Sequence, residues 1–202
     1  MSKFLIFISI VIVISIIAVV FLPKINKDKR NDRIGEEGAV AYAQYLGDHN
    51  FLASANKNME LAEKEELRLC EQFIQENPNN IYAIYRRASL NSLLKNWEAS
   101  IADYLFLLNK YPTNTQYIAG YVDCYIAQHK TEQAKEILET YYQNIEKDAR
   151  YFGCLGRIYL TADNLDLAIE NYKKAVELDP NSSFIAELNA VFKVAKLHQK
   201  EK

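Results

Sequence analysis

The chain opens on an uncharged apolar run, FLIFISIVIVISIIAVVFL, from Phe4 to Leu22. As a helix with 1.5 Å rise per residue, its 19 residues span roughly 28 Å, close to the thickness of a bilayer's hydrocarbon core. Backbone groups in lipid must be satisfied within the segment, so the pattern predicts a single transmembrane helix over residues 1–23. A cleaved leader would have a shorter apolar stretch followed by a small-x-small site. Here Val20-Phe21-Leu22-Pro23 comes next, and no nearby cysteine offers a lipid attachment point. The run therefore reads as an uncleaved anchor. Lys24, Lys27, Lys29, Arg30 and Arg33 flank it on one side, against Lys3 and the α-amino group on the other. This bias favours a cytoplasmic body over a periplasmic one, on a single-pass protein of a membrane such as the bacterial inner membrane.

Beyond the anchor the pattern turns polar and then periodic. Residues 24–58 read as a charged connector, in which AVAYAQYLG predicts a short helix near 37–46. That helix either packs on the helices after it or extends the spacer. MELAEKEELRLCEQFIQENP then has the apolar spacing of a strong helix from about Glu60 to Glu76, so residues 59–80 form a partial repeat or capping helix. Its partner helix would have to come from Gly47–Asn58. At the far end, Phe184, Leu188, Val191, Phe192 and Ala195 fall at helical spacing, with Ser182 or Ser183 as N-cap. Residues 183–202 thus read as a closing helix and a polar tail.

Between these ends lies an internal repeat. Pro78, Pro112 and Pro180 are separated by 34 and then 68 positions. Blocks of 34 residues starting at Ile81, Thr115 and Ala149 bring further positions into line. The block 149–182 carries Leu155-Gly156, Tyr159, Ala168, Tyr172, Ala175 and Pro180. The block 81–114 carries Arg87-Ala88, Ser100, Tyr104 and Pro112, and the block 115–148 keeps Tyr125, Ala134 and Leu138. Each block reads as two antiparallel helices, A and B. Small residues (Ala88, Gly156, Ser100, Ala134, Ala168) let the two helices approach, and the larger Tyr104, Leu138 and Tyr172 fill the space between hairpins.

On these residues the chain resembles the tetratricopeptide repeat (TPR) family, with repeats at 81–114, 115–148 and 149–182. The resemblance implies an all-α fold, a helix-turn-helix solenoid wound as a right-handed superhelix behind the transmembrane helix. The chain departs from the family at the inner turn, where Lys95, His129 and Asp163 stand in place of the usual glycine. An altered turn is expected there.

Composition agrees with an all-helical reading. Half the residues are hydrophobic and a quarter charged, while Gly 6 and Pro 4 are too few for a turn-rich strand fold. A net charge of -2 gives no electrostatic footprint for nucleic acid. Cys70, Cys124 and Cys154 are far apart with no CxxC pair, so they read as small buried apolar residues. His49, His129 and His198 are scattered, with no second ligand at metal spacing. There is no P-loop, dinucleotide fingerprint, HExxH or nucleophile elbow. The expectation is no enzyme, no cofactor, no metal and no small-molecule substrate.

What the family resemblance implies instead is a protein or peptide partner held in the concave groove of the A helices. Carried over by position, the groove residues are Tyr82, Tyr85, Ser89, Ser92 and Leu93 in the first block. The second gives Gln116, Ala119, Asp123, Ile126 and Ala127, and the third Arg150, Gly153, Arg157, Leu160 and Thr161. Tyr82, Tyr85, Ser89, Asp123, Arg150 and Arg157 are the expected anchors, since tyrosine and arginine bury area yet satisfy a polar tip. The carboxylate clamp of chaperone-tail binders is not expected, because its places hold Tyr85, Ser89, Gly120, Arg150 and Cys154. Two functions follow from the resemblance: a membrane-tethered scaffold that recruits a partner, or an envelope assembly chaperone similar in architecture to the TPR subunits of cytochrome c maturation.

Overall fold

The computed structural model describes residues 29–48 and 59–200. The expected anchor at 4–22 and the segment 49–58 lie outside the described residues, as do the last two residues of the tail. Among the described residues there are nine helices and no strand, and no helix is long and apolar enough to cross a membrane. The chain divides into two compact units, Met1–Leu94 and Lys95–Lys202. The boundary falls in the inner turn of the 81–114 block.

The first unit holds α1 (Lys29–Asp48), α2 (Met59–Glu76) and α3 (Ile81–Leu93). The helix in the charged connector is thus longer than the 37–46 expectation. Helix α1 packs against both α2 and α3, taking the place expected of Gly47–Asn58. The physical reason is aromatic. Tyr42 and Tyr45 of α1 lie against Phe73 of α2, at centroid distances of 5.4 and 5.1 Å. With Cys70, Ala83 and Leu90, Tyr42 and Phe73 form this unit's core. Burying such rings is worth roughly 1.5–3 kcal/mol each, enough to hold a helix whose N-terminal half is charged. Two polar ties fix the register. Glu66 of α2 takes both prongs of Arg86 of α3, at 2.6 and 2.7 Å. Asn80 caps α3 by accepting from the Ala83 N–H at 2.9 Å, and its amide donates to the Gly38 carbonyl of α1 at 3.2 Å.

The second unit runs α4 (Trp97–Lys110), α5 (Thr115–Ile126), α6 (Thr131–Tyr141), α7 (Ala149–Thr161), α8 (Leu165–Leu178) and α9 (Phe184–Lys200). Neighbours in sequence pack together, and α5 also packs on α7. Three of these helices, α5, α7 and α8, begin where a side chain caps them. Asn114 accepts from the N–H groups of Gln116 and Tyr117, Asp148 from Tyr151, and Asn164 from Leu167. Just ahead of α9, the Ser182 hydroxyl donates to the Asp179 carbonyl at 2.7 Å.

The small residues lie where the spacing predicts. Ser100, Ala134 and Ala168 are fully buried in this unit, as is Ala88 in the first. Gly156 sits under the Tyr172 ring, where a Cβ would come within 2.8 Å of the ring carbons. The three inner turns do not lose their conformation with the missing glycine. Lys95, His129 and Asp163 adopt left-handed φ values of 61°, 58° and 57°. At the second and third turns the backbone closes as a Schellman motif. His129 N–H donates to the Ile126 carbonyl and Lys130 N–H to Tyr125; Asp163 donates to Leu160 and Asn164 to Tyr159.

Candidate functional site

Of the six expected anchors, three belong to the first unit. Tyr82 is half-buried against the core, with its ring 5.9 Å from Tyr42. Burial pushes its hydroxyl pKa up. It is therefore a packing residue more than a free anchor. Tyr85 is half-buried, and Ser89 turns its hydroxyl back to donate to the Tyr85 carbonyl at 3.2 Å.

The other three belong to the second unit. Asp123 of α5 and Arg157 of α7 occupy the same place in consecutive blocks. Because α5 and α7 pack side by side, the two meet. Arg157 Nε donates to Asp123 Oδ1 at 2.9 Å and Nη2 to Oδ2 at 3.1 Å, a two-pronged pair. A third partner comes from the closing helix: Glu187 of α9 accepts from Arg157 Nη1 at 3.4 Å. Arg157 also rests 5.8 Å from the centre of the Phe184 ring. Desolvation pushes the Asp123 carboxyl up, and the Arg157 charge pulls against that shift. Arg157 is thus no free groove cation but a tie between three helices. Arg150 stays near its own helix start, 3.9 Å from the cap residue Asp148.

The closing helix changes this face in a second way. Gly153 holds one of the expected groove places. Phe184 fills the space over it: a Cβ on Gly153 would fall 2.1 Å from the ring. Tyr104 likewise covers Gly120, where a Cβ would fall 2.3 Å from it. What stays accessible on the A-helix face of this unit is Leu160, 37% exposed, and the exposed Ala127, with half-buried Gln116, Ala119, Arg150 and Thr161. Sequence reasoning missed Glu187 because α9 was read only as a cover. Its signal was present, one helical turn from Phe184 on the same face. Among the described residues no group of three or more His, Cys, Asp or Glu side chains is placed to hold a metal ion.

Comparison with known proteins agrees with the fold. Residues 149–182 match the model of the tetratricopeptide repeat. The chain therefore carries a TPR in the block whose spacing is closest to that pattern. No curated protein matches the chain. Among solved structures it is similar to a thermophilic TPR protein of Thermus thermophilus, at 18% identity and a TM-score of 0.60, covering 76% of this chain and 82% of that one. It is also similar to MamA, residues 41 to the end, from Desulfovibrio magneticus. There the identity is 18% and the TM-score 0.52, over 79% of this chain and 88% of that one. These likenesses show an all-α, TPR-type fold. Proteins of this fold generally mediate protein–protein interactions and are typically not enzymes.

Proposed function

We propose that this chain is a membrane-tethered interaction module that recruits a partner protein through the A-helix face of its second unit. The observation that carries the reading is the side-by-side packing of α5 and α7, which sets equivalent positions of two blocks on one surface. On that surface Arg157 is committed to Asp123 and Glu187, so it shapes the face and the neighbouring residues meet the partner. Leu160 is the exposed apolar anchor beside Thr161, with Gln116 and Arg150 at the opposite ends of the same two helices. The tether is the uncharged run from Phe4 to Leu22, and its flanking lysines and arginines favour a cytoplasmic body. Tethering raises the effective concentration for other membrane proteins without any new contact.

The test uses the full chain with a C-terminal tag, cross-linked in membranes. Leu160→Glu places a charge on an already exposed site and should leave the helical signal unchanged while partner recovery falls severalfold. Equal recovery from wild type and Leu160→Glu removes the A-helix face from the reading. Protease protection in cells and inverted vesicles, read through the same tag, decides the side. Cleavage from the cytoplasmic side alone is expected. Cleavage from the outer side alone would favour an envelope assembly chaperone.

A further inference from the structure

Opposite the A-helix face, the second unit has a cleft of about 360 Å³ between α5 and α6. It is lined by Tyr121 and Tyr125 of α5 and by Gln133, Glu136, Ile137, Thr140 and Tyr141 of α6. Helical geometry sets it apart from the site already described. Tyr121 and Tyr125 each lie two residues from Asp123, and two residues turn a helix by about 200°. On α6 the lining residues recur at i, i+3, i+4, i+7 and i+8, one stripe beside the buried stripe of Ala134 and Leu138.

Three tyrosines face one another across this cleft. Tyr121 stands edge-on to Tyr125 at 5.5 Å between centroids and edge-on to Tyr141 at 6.2 Å. Perpendicular rings at these distances present electron-rich faces that attract a cation. A cation already sits over one of them, since Lys130 Nζ lies 5.9 Å from the Tyr125 centroid at the rim. Lys130 is held outside the cleft by donating to Gln128 Oε1 at 2.7 Å. No basic side chain lines the cleft itself. Its one charged group is Glu136, which makes no ion pair among the described residues. Thr140 spends its hydroxyl on the Glu136 carbonyl at 2.7 Å, and so leaves the carboxylate as the strong acceptor. The exposed Glu132 and Glu139 add to the negative field of α6.

The geometry points to a site for a cationic side chain, the ammonium of lysine or the guanidinium of arginine, on a partner protein. The rings take the apolar stem and face the charge, and the Glu136 carboxylate neutralises it.

The test is a titration of the full chain in mild detergent, with ring-13C-labelled tyrosine followed by NMR and resonances assigned by single Tyr→Phe replacements. Probes are N-acetyl-arginine amide, N-acetyl-lysine amide and tetramethylammonium, with uncharged N-acetyl-citrulline amide as control, all at one ionic strength. Saturable shifts of the Tyr125 and Tyr141 rings are expected with the three cations and not with the control. Glu136→Gln, at an exposed position, should keep the helical signal and weaken binding about fivefold. Tyr141→Ala should weaken it at least as much, and Lys130→Gln should strengthen it. Linear shifts, an equal response to the citrulline compound, or a Glu136→Gln variant that titrates like wild type would each overturn the assignment. Leu160→Glu should titrate like wild type, so this result stands apart from that of the A-helix face.

Discussion

The three inner turns offer a direct measurement of stored backbone strain. Lys95, His129 and Asp163 hold φ near 60°, where a Cβ crowds the following carbonyl. An L-residue there costs about 1–2 kcal/mol. Glycine removes that cost but brings more freedom to the unfolded chain, which offsets about 0.5–1 kcal/mol. The net expectation is a gain of about 0.5–1 kcal/mol for His129→Gly or Lys95→Gly. Asp163→Gly should gain less, because aspartate tolerates the left-handed region better. For a cooperative unit near 100 residues, each gain raises the melting temperature by about 2–4 °C. All the turn hydrogen bonds run through backbone N–H groups, so glycine keeps every one of them. The assay is thermal unfolding of the full chain by far-UV circular dichroism. Ala127→Gly is the control, since Ala127 has an ordinary helical φ of −64°. That change should lower stability by about 0.5–1 kcal/mol. If His129→Gly melts at or below wild type, or shifts in the same direction as Ala127→Gly, the strain argument is refuted.

Other substitutions probe the packing around the site. Arg157→Ala should lower stability of the second unit by about 1–2 kcal/mol, because Asp123 and Glu187 then face each other without a counter-charge. Adding Asp123→Asn should recover part of that loss, and a urea double-mutant cycle reads the coupling. Gly156→Ala drives a methyl into the Tyr172 ring and should cost about 1–3 kcal/mol in the same assay. The cysteines report on opening. Burial pushes the Cys70 and Cys154 thiols up to about 12, so at pH 8 the native thiolate fraction is about 10³-fold below that of an ordinary thiol. Alkylation by iodoacetamide should be correspondingly slow until urea unfolds the chain. The same shift has a sign for stability. The native thiols bind protons more tightly than the unfolded ones, so their contribution is complete below about pH 8.5 and declines as pH rises toward 12. The urea midpoint should fall between pH 8.5 and 10, and Cys70→Ala with Cys154→Ala should flatten that slope.

How much of this was legible in the sequence depends on what kind of signal each feature leaves. The hairpins were legible because small residues at fixed spacing have one physical use, close helix approach; Ser100, Ala134 and Ala168 are all fully buried. The inner turns were not, since the family resemblance reads Lys95, His129 and Asp163 as missing glycines. The backbone accepts the strain because two Schellman hydrogen bonds close the second and third turns whatever the side chain. Helix α1 was only half legible. Its charges disguised a helix that needs just Tyr42 and Tyr45 to reach Phe73.

Two of the expected anchors also have a packing role that position alone does not show, and the reason is general to stacked repeats. A position rule places equivalent residues on one face, and the same rule places them next to each other. Asp123 and Arg157 have opposite charge at the same place in successive blocks, so adjacency consumes both before any partner arrives. A groove residue remains free only where its equivalent in the next block cannot answer it. Leu160 meets that condition: it is apolar, exposed, and preceded one block earlier by Ile126, which is buried. Glu136 meets it too, away from the groove, with a carboxylate among tyrosines and no ion pair among the described residues. The residues most worth testing are therefore those whose chemistry the stack leaves unanswered, and those most easily recognised by consensus position are the ones it has already used.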